Sequence, residues 1–414
     1  MTSVRGTVEA IFAAGVSAAL TFSYIIFVGR SLGPVEYADF SAALSLIYLF
    51  AIALSPITPT LSRIVAAFAT RGDLAAIRGV RRDVIRRASI WLGALTVAGL
   101  AASPLLARAL KFSSPTTFFL SIATAALFTV LSIDRGVLQG LMQFRPYNIS
   151  IIIESSVRCF GAVILFALFG KSTNGALMSY VAAVVIAEAA LALRLRREQR
   201  GAEVVSADWK QVSRLAFPLF GLMICVAVFQ NADMLAVKRW LPAGESGLYG
   251  AATMLAKGVG VLWVPLYVLA GPTLAALHES QRPLLGTVLK LEAWFLALAG
   301  VPVLIYSMLP DTILRLLYGE AFIGAAPLLL PLAGLSILTH SALLLVQLLI
   351  TVGDFRFLRI YALMCAAQVA GLAFFHESTG QILTVLYVCQ SAVLLAVAAR
   401  VFLDHSKSRH QREA

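Results

Sequence analysis

The chain has 414 residues, of which 60% are hydrophobic and only 13% are charged. Soluble globular proteins carry about 25% charged residues, so this composition excludes an ordinary soluble domain and predicts an integral membrane protein. The formal net charge of +12 does not indicate nucleic-acid binding, because the lysines and arginines concentrate in alternate short loops between apolar segments.

Twelve apolar segments are long enough to cross a bilayer as helices, which takes about 20 residues each. They are residues 9–29, 40–62, 88–107, 116–137, 147–169, 175–193, 214–236, 247–273, 287–308, 326–350, 357–375 and 380–401. The predicted fold is therefore all-α and polytopic, with about twelve transmembrane helices.

The basic residues are distributed unequally between the two sets of loops. If the N-terminus is cytoplasmic, 24 lysines and arginines fall on the inner side and seven on the outer side, while Arg158 and Lys257 fall inside predicted spans. Inner loops of membrane proteins carry the excess of basic residues, so both termini are predicted to be cytoplasmic. The even number of spans agrees with this topology.

A weak internal repeat links the two halves of the chain, because residues 28–43 align with residues 237–252 without a gap. The aligned pairs include Arg30 with Arg239, Leu32 with Leu241, Glu36 with Glu245, and Phe40 with Tyr249. The repeat predicts two pseudo-symmetric six-helix lobes, residues 1–200 and 201–414, joined by a charged linker at 194–214. Lobes with the same membrane orientation are related by an axis along the membrane normal.

No sequence pattern indicates a metal, a cofactor or an enzymatic centre. The chain has no P-loop, dinucleotide-binding, HExxH or GxSxG motif, its four cysteines lie inside apolar segments, and its five histidines are scattered. The loops predicted to be external are short and leave little room for an extramembrane catalytic site. We therefore expect no metal, no cofactor and no enzymatic activity.

Lys257 is the first candidate for a functional residue, since ionisable side chains at membrane depth are costly and usually functional. It lies near the middle of the eighth predicted span, and no neighbour three or four positions away can neutralise its charge. The ammonium would need water, an acid from another helix or an anionic ligand. The alternative is a structural pair with Asp233 of the seventh span.

Five further residues are candidates for the same pathway. Arg158 follows Glu154 by one helical turn, so this pair can neutralise itself, or Glu154 can serve as a protonatable coupling site. Asp233, with neighbouring Asn231, is a second candidate site for a proton or cation. Arg135, at the inner end of the fourth span, would either meet a phosphate entering from the cytoplasmic leaflet or act as an interfacial anchor.

Four segments resemble the polysaccharide transporter family of the multidrug/oligosaccharidyl-lipid/polysaccharide exporter superfamily, whose members are O-antigen and exopolysaccharide flippases. They are VGRSLGPVEYADFSAALSL, DRGVLQGLMQFRPYNISIIIESSVRCFGAVIL, NADMLAVKRWLPAGESGLYGAATML and LRLLYGEAFIGAAPLLLPLAGLS. The resemblance covers most of the chain, through the order and spacing of loose motifs.

The resemblance implies two lobes around a central cavity in the bacterial inner membrane. It implies that a polyprenyl-pyrophosphate-linked oligosaccharide moves from the cytoplasmic to the outer leaflet by alternating access, with Lys257 and Arg158 meeting the anionic head group. Membrane lipids are expected partners, and protons or sodium, a polymerase and glycosyltransferases are further candidates. Twelve spans instead of fourteen, and few midplane cations, leave the size and charge of the substrate open.

Three alternatives remain at this point. A cation-coupled multidrug or small-solute exporter of the same superfamily would use Glu154 or Asp233 to bind the cation. A membrane glycosyltransferase or polymerase would need an extramembrane acidic dyad, which the sequence does not contain. A non-transporting scaffold for a polysaccharide assembly complex is the third.

Overall fold

A computed structural model describes residues 2–198, 209–280 and 282–413. These residues form fourteen α-helices and one short 3-10 helix, Glu320–Ala325, with no strand among them. The helices are α1 Thr2–Ala53, α2 Ile57–Ala69, α3 Leu74–Ala109, α4 Pro115–Gly140, α5 Phe144–Phe169, α6 Thr173–Glu198, α7 Trp209–Trp240, α8 Ala243–Val261, α9 Val264–Glu279, α10 Leu285–Met308, α11 Pro310–Leu317, α12 Ala326–Thr351, α13 Phe357–Phe374 and α14 Thr379–Glu413. The predicted all-α fold is confirmed.

Eleven segments of the described residues are long and apolar enough to span a membrane. The first, Phe12–Ala69, has 58 residues and contains two of the predicted spans. At 1.5 Å per residue it would extend about 87 Å as one helix, far more than the ~30 Å of hydrocarbon in a bilayer. The predicted number of about twelve transmembrane helices is therefore confirmed.

Helix α1 is broken at Gly33, whose φ of 72° and ψ of 172° are not helical. This backbone conformation is almost confined to glycine, and the following Pro34 has no N–H group to donate to a preceding carbonyl. The residue that aligns with Gly33, 209 positions later, is Pro242, which lies between the end of α7 and the start of α8. Both copies of the repeat thus contain a break between two apolar helices.

Two buried contacts join the helical segments on either side of these breaks. In the first copy the rings of Tyr24 and Phe40 lie 5.6 Å apart, edge to face. In the second copy the Tyr249 hydroxyl donates a 2.8 Å hydrogen bond to Asp233. Residues 24 and 40 align with residues 233 and 249 at the offset of 209, so equivalent positions are in contact in both copies.

The chain divides into two compact units, Met1–Ala227 and Val228–Ala414, which we call the N-terminal and C-terminal units. In the N-terminal unit α4 packs against α1, α2, α3 and α6, while in the C-terminal unit α12 packs against α8, α9, α10 and α14. The predicted lobe boundary at residue 200 and much of the predicted linker fall on residues 199–208, outside the described residues. That division stays a prediction.

Helices α2 and α4 approach closely at a Gly-xxx-Gly pair. A Cβ atom on Gly136 would lie 2.9 Å from the carbonyl oxygen of Thr58, and one on Gly140 would lie 2.7 Å from that of Ser62. Small residues at this spacing let membrane helices pack backbone to backbone. This packing sets the position of α4, which carries Arg135.

Outside the spans, Asp354 ties the loop between α12 and α13 to α14. Its carboxylate accepts hydrogen bonds from the backbone N–H of Arg356 at 3.0 Å and from Nε of Arg400 at 2.7 Å. Partial burial of the carboxylate opposes its ionisation, but the hydrogen bonds and the two nearby guanidinium groups outweigh burial and lower the pKa of Asp354.

We predict that Gly33→Ala lowers the free energy of unfolding by about 1–3 kcal/mol, because alanine has to adopt a backbone conformation suited to glycine. The matched control is Gly15→Ala within helical α1, since a Cβ at either position meets no atom within 4 Å. The control should be neutral or slightly stabilising. Thermal unfolding in detergent measures both, and equal effects would contradict the role of Gly33.

The second prediction concerns pH. Because the pKa of Asp354 is lowered on folding, its ion pair contributes stability above the ordinary carboxyl pKa of 3.8 and loses it as the pH falls through the lowered value. The melting temperature of Asp354→Asn should therefore lie below that of the wild type at pH 7, and the gap should close below about pH 4. Thermal unfolding across pH 3 to 7 checks this, and a constant gap would refute it.

Candidate functional site

A cluster of three charged side chains lies inside the N-terminal unit, and we call it the Arg-Glu-Arg cluster. One oxygen of Glu154 lies 2.9 Å from the guanidinium of Arg135, and the other lies 3.5 Å from that of Arg158. All three residues are buried, with exposed fractions of 8% or less. A single carboxylate of α5 is therefore shared by arginines of α4 and α5.

Groups from α1, α5 and α6 hold the two guanidiniums in place. Arg135 donates through Nε to the Ser150 hydroxyl at 3.1 Å. Arg158 donates to the Thr21 hydroxyl at 2.6 Å and lies 4.5 Å from the centre of the Tyr180 ring. Stacking on an aromatic face stabilises a desolvated cation. Among the described residues, Nε of Arg158 has no hydrogen-bond partner.

The cluster leaves one positive charge in excess, because two guanidiniums share one carboxylate. It lies on α4 and α5, both of which are long and apolar enough to span the membrane. An uncompensated charge at such a position is costly and is usually retained for a ligand or transport pathway. The geometry therefore suits the binding of an anion.

The structure brings Arg135 together with Glu154 and Arg158, two residues that the sequence had already suggested as a pair. The predicted pairing of Glu154 with Arg158 is present, and Glu154 also binds Arg135. Arg135 is buried and paired, so it does not have the exposed position of a simple interfacial anchor. Its link to Glu154 crosses from α4 to α5, and no periodic pattern in the sequence indicates it.

A second ion pair on α4 was missed by sequence reasoning. Arg81 of α3 binds both carboxylate oxygens of Asp134, at 2.8 and 2.5 Å. Asp134 is fully buried and lies within hydrogen-bond reach of Glu188 on α6. Arg81 is one of seven arginines between residues 63 and 87, and nothing in that basic run distinguishes it.

The C-terminal unit places its candidate residues on α7 and α8. Lys257 donates to the side-chain carbonyl of Asn231 at 2.8 Å, and Asp233 is close enough to interact electrostatically with it. Asp233 accepts from Tyr249 through one oxygen, while its other oxygen, buried, has no hydrogen-bond partner among the described residues. Lys257 thus lies near Asp233, its partner in the structural ion pair that the sequence analysis gave as the alternative to a functional role. It also contacts the neutral amide of Asn231.

Across residues 2–198, 209–280 and 282–413, no group of three or more His, Cys, Asp or Glu side chains could hold a metal ion. All four cysteines are free.

Comparison with known families identifies the group of proteins to which this chain is related. The family profile described as polysaccharide biosynthesis protein matches residues 3–278, about two thirds of the chain. The chain belongs to the polysaccharide biosynthesis protein family. The resemblance drawn from the four sequence segments is confirmed. Among curated proteins, none matches this sequence.

Solved structures show the fold of this polysaccharide biosynthesis family member. An inward-facing multidrug resistance MATE family transporter of the MOP superfamily matches with a TM-score of 0.75 at 15% identity, covering 94% of this chain and 95% of the other. The lipid II flippase MurJ, in an inward closed conformation, matches with a TM-score of 0.73 at 12% identity, covering 96% and 87%. A MOP superfamily transporter from Pyrococcus furiosus has a TM-score of 0.59 at 15% identity, covering 96% and 95%. The fold is that of MOP superfamily transporters, and the protein is a multi-pass membrane protein.

We predict that Glu154→Gln strongly destabilises the N-terminal unit, because it leaves two buried guanidiniums without their counter-charge. Breaking a buried ion pair costs about 3–5 kcal/mol. The double variant Glu154→Gln/Arg158→Gln should be less destabilised than Glu154→Gln alone, because it removes one of the uncompensated charges. Unfolding of the wild type, Glu154→Gln, Arg158→Gln and the double variant in detergent gives the coupling energy between the two positions. If the effects of the two single substitutions on the free energy of unfolding simply added, the shared carboxylate would be contradicted.

Proposed function

We propose that this polysaccharide biosynthesis family member is a flippase. It moves a polyprenyl-diphosphate-linked oligosaccharide from the cytoplasmic to the outer leaflet of a bacterial inner membrane by alternating access. The observation that carries the proposal is the Arg-Glu-Arg cluster, a buried and positively charged group within membrane-spanning helices. Family membership and the fold shared with MOP superfamily transporters support the same class of function.

The physical need for such a cluster follows from the substrate. A diphosphate joined to a sugar cannot cross about 30 Å of hydrocarbon without a polar path. Guanidinium groups bind phosphate oxygens through charge-assisted and often bidentate hydrogen bonds. The Nε–H group of Arg158 has no hydrogen-bond partner among the described residues, so it can donate to an anion. Such an anion could bind while Arg158 keeps its contact with Glu154.

Lys257 supplies a second cationic group in the C-terminal unit. Its bond to Asn231 does not neutralise it, and the nearby Asp233 can exchange a proton or bind sodium as the ammonium engages or releases an anion. In this proposal the Lys257 and Asp233 pair couples transport to an ion gradient. The lipid tail remains among membrane lipids, glycosyltransferases supply the substrate, and a polymerase consumes it. Both termini are cytoplasmic in this topology.

A second candidate is a cation-coupled exporter of multidrug or small-solute substrates. The observation that favours it is the buried oxygen of Asp233 with no hydrogen-bond partner among the described residues, which would suit a proton or small cation. Fold similarity to a multidrug resistance transporter agrees with this candidate as well as with the first.

Deletion of the gene distinguishes the flippase function from the exporter function. A flippase deletion should make polyprenyl-linked oligosaccharide accumulate in the inner leaflet and should reduce surface polysaccharide, while drug tolerance stays unchanged. An exporter deletion should lower drug tolerance without any accumulation. The lipid-linked pool is measured by mass spectrometry of extracted lipids, with and without a plasmid carrying the wild-type gene.

The prediction for the site uses the same deletion strain. Lys257→Met should abolish surface polysaccharide export, and Lys257→Arg should restore part of it, because the positive charge is kept. Lys290→Met is the matched control, since Lys290 is exposed on α10. Immunoblots of membrane fractions must show equal amounts of each variant. Export at the wild-type level by Lys257→Met would remove Lys257 from the mechanism.

A further inference from the structure

The N-terminal unit contains a cavity of about 700 Å³ whose lining includes none of the three residues of the Arg-Glu-Arg cluster. We call it the arginine pocket. It is lined by Arg78, Arg81, Arg82, Ile85, Arg86, Glu188, Ala192 and Arg196. A volume of this size is typical of sites for small molecules and exceeds what a single inorganic ion would fill.

Helical spacing explains why these side chains converge. The lining residues of α3 recur at intervals of three and four, from Arg78 to Arg86, and those of α6 recur every four, from Glu188 to Arg196. Residues at these intervals share one face of a helix. One face of α3 and one face of α6 therefore supply the whole lining, with α4 packed against both helices.

The charge of the lining strongly favours an anion. Five arginines against one glutamate leave four positive charges in excess. The pairs of Arg81 with Asp134 and of Arg86 with Asp83 neutralise two of them, and the pocket remains cationic. Several guanidinium forks around one cavity match the geometry of phosphate oxygens.

The Glu188 side chain restricts which chemical groups a ligand can place beside it. One oxygen of its carboxylate is buried and has no hydrogen-bond partner among the residues described. Its other oxygen lies within hydrogen-bond reach of Asp134, so the unpartnered oxygen can only accept, and it suits a hydroxyl group of a ligand. A ligand that carries both a phosphate and hydroxyl groups would satisfy the arginines and Glu188 together.

We propose that the arginine pocket binds a phosphate ester that carries free hydroxyl groups. The arginines hold the phosphate, and Glu188 accepts from a hydroxyl of the same ligand. This chemistry has two sources, the head group of a hydroxylated anionic phospholipid and a soluble phosphorylated polyol. The site does not depend on the flippase function, because it is formed by residues other than Arg135, Glu154 and Arg158.

The test uses the full-length protein and two probes. Native mass spectrometry measures the retention of phosphatidylglycerol from mixed phosphatidylglycerol/phosphatidylcholine nanodiscs. Calorimetry measures the binding of sn-glycerol 3-phosphate to the protein in phosphatidylcholine nanodiscs. The pocket variant is Arg82→Gln/Arg196→Gln, and the control is Arg63→Gln/Arg71→Gln, which removes the same charge from exposed positions outside the pocket.

We expect the pocket variant to lose at least about tenfold in affinity for one probe, because two charge-assisted contacts are removed. The control should bind as the wild type does, and both variants should unfold at the wild-type temperature. Loss confined to the lipid identifies a head-group site, and loss for the soluble ester identifies a polyol phosphate site. Equal weakening in pocket and control variants, or no binding of either probe by the wild type, would overturn the proposal.

Glu188→Ala tests the hydroxyl contact on its own. The wild type should prefer sn-glycerol 3-phosphate to inorganic phosphate, and the variant should lose this preference while still binding phosphate. A preference that survives the substitution would exclude Glu188 from ligand recognition. This ratio of affinities would not change if Glu188 had only a structural role.

Discussion

The position of Glu154 between two buried arginines is the interaction on which the N-terminal unit depends. Arg135 and Arg158 are buried, so one carboxylate and a few hydroxyl and aromatic groups replace the water that would solvate them at a surface. Helices α1, α4, α5 and α6 each contribute to that environment. The charge they enclose is not fully balanced, and this excess is the basis of the proposed anion transport.

The two units share a design but differ in the chemistry of their interiors. Each has a helix break at the repeated turn and a buried contact across it. The N-terminal unit then buries excess positive charge, whereas the C-terminal unit uses amides that satisfy backbone carbonyls. Gln390 donates to the carbonyl of Phe229, and Gln368 donates to that of Val228.

Lys257 and Asp233 bring opposite charges to the same unit. The two units thus resemble each other in the helix break and differ in their polar groups, and the proposed mechanism assigns anion binding to one unit and ion coupling to the other.

Adjacent residues of α4 connect the cluster to the arginine pocket. Asp134 binds Arg81 of the pocket, and Arg135 binds Glu154 of the cluster. The close packing of α4 on α2, through the Gly-xxx-Gly pair, fixes the position of the helix that carries both residues. Asp134 and Arg135 are consecutive residues, so the pocket and the cluster adjoin through α4. An anion bound in the proposed pocket would compete with Asp134 for Arg81.

The amino-acid sequence by itself determined the membrane location, the all-helical fold, the number of spans and the repeated turn. These properties depend on the length of apolar runs and on residues such as Gly33 and Pro34, whose backbone preferences are local. The sequence also indicated Lys257, Arg158 and Glu154 as candidate functional residues, because charged residues inside apolar segments are easily recognised. Only the tertiary structure decided which charges meet. The pairing of Arg135 with Glu154, and of Arg81 with Asp134, depends on the rotation and depth of neighbouring helices, and helices that are apolar on nearly every face carry no periodic signal of either.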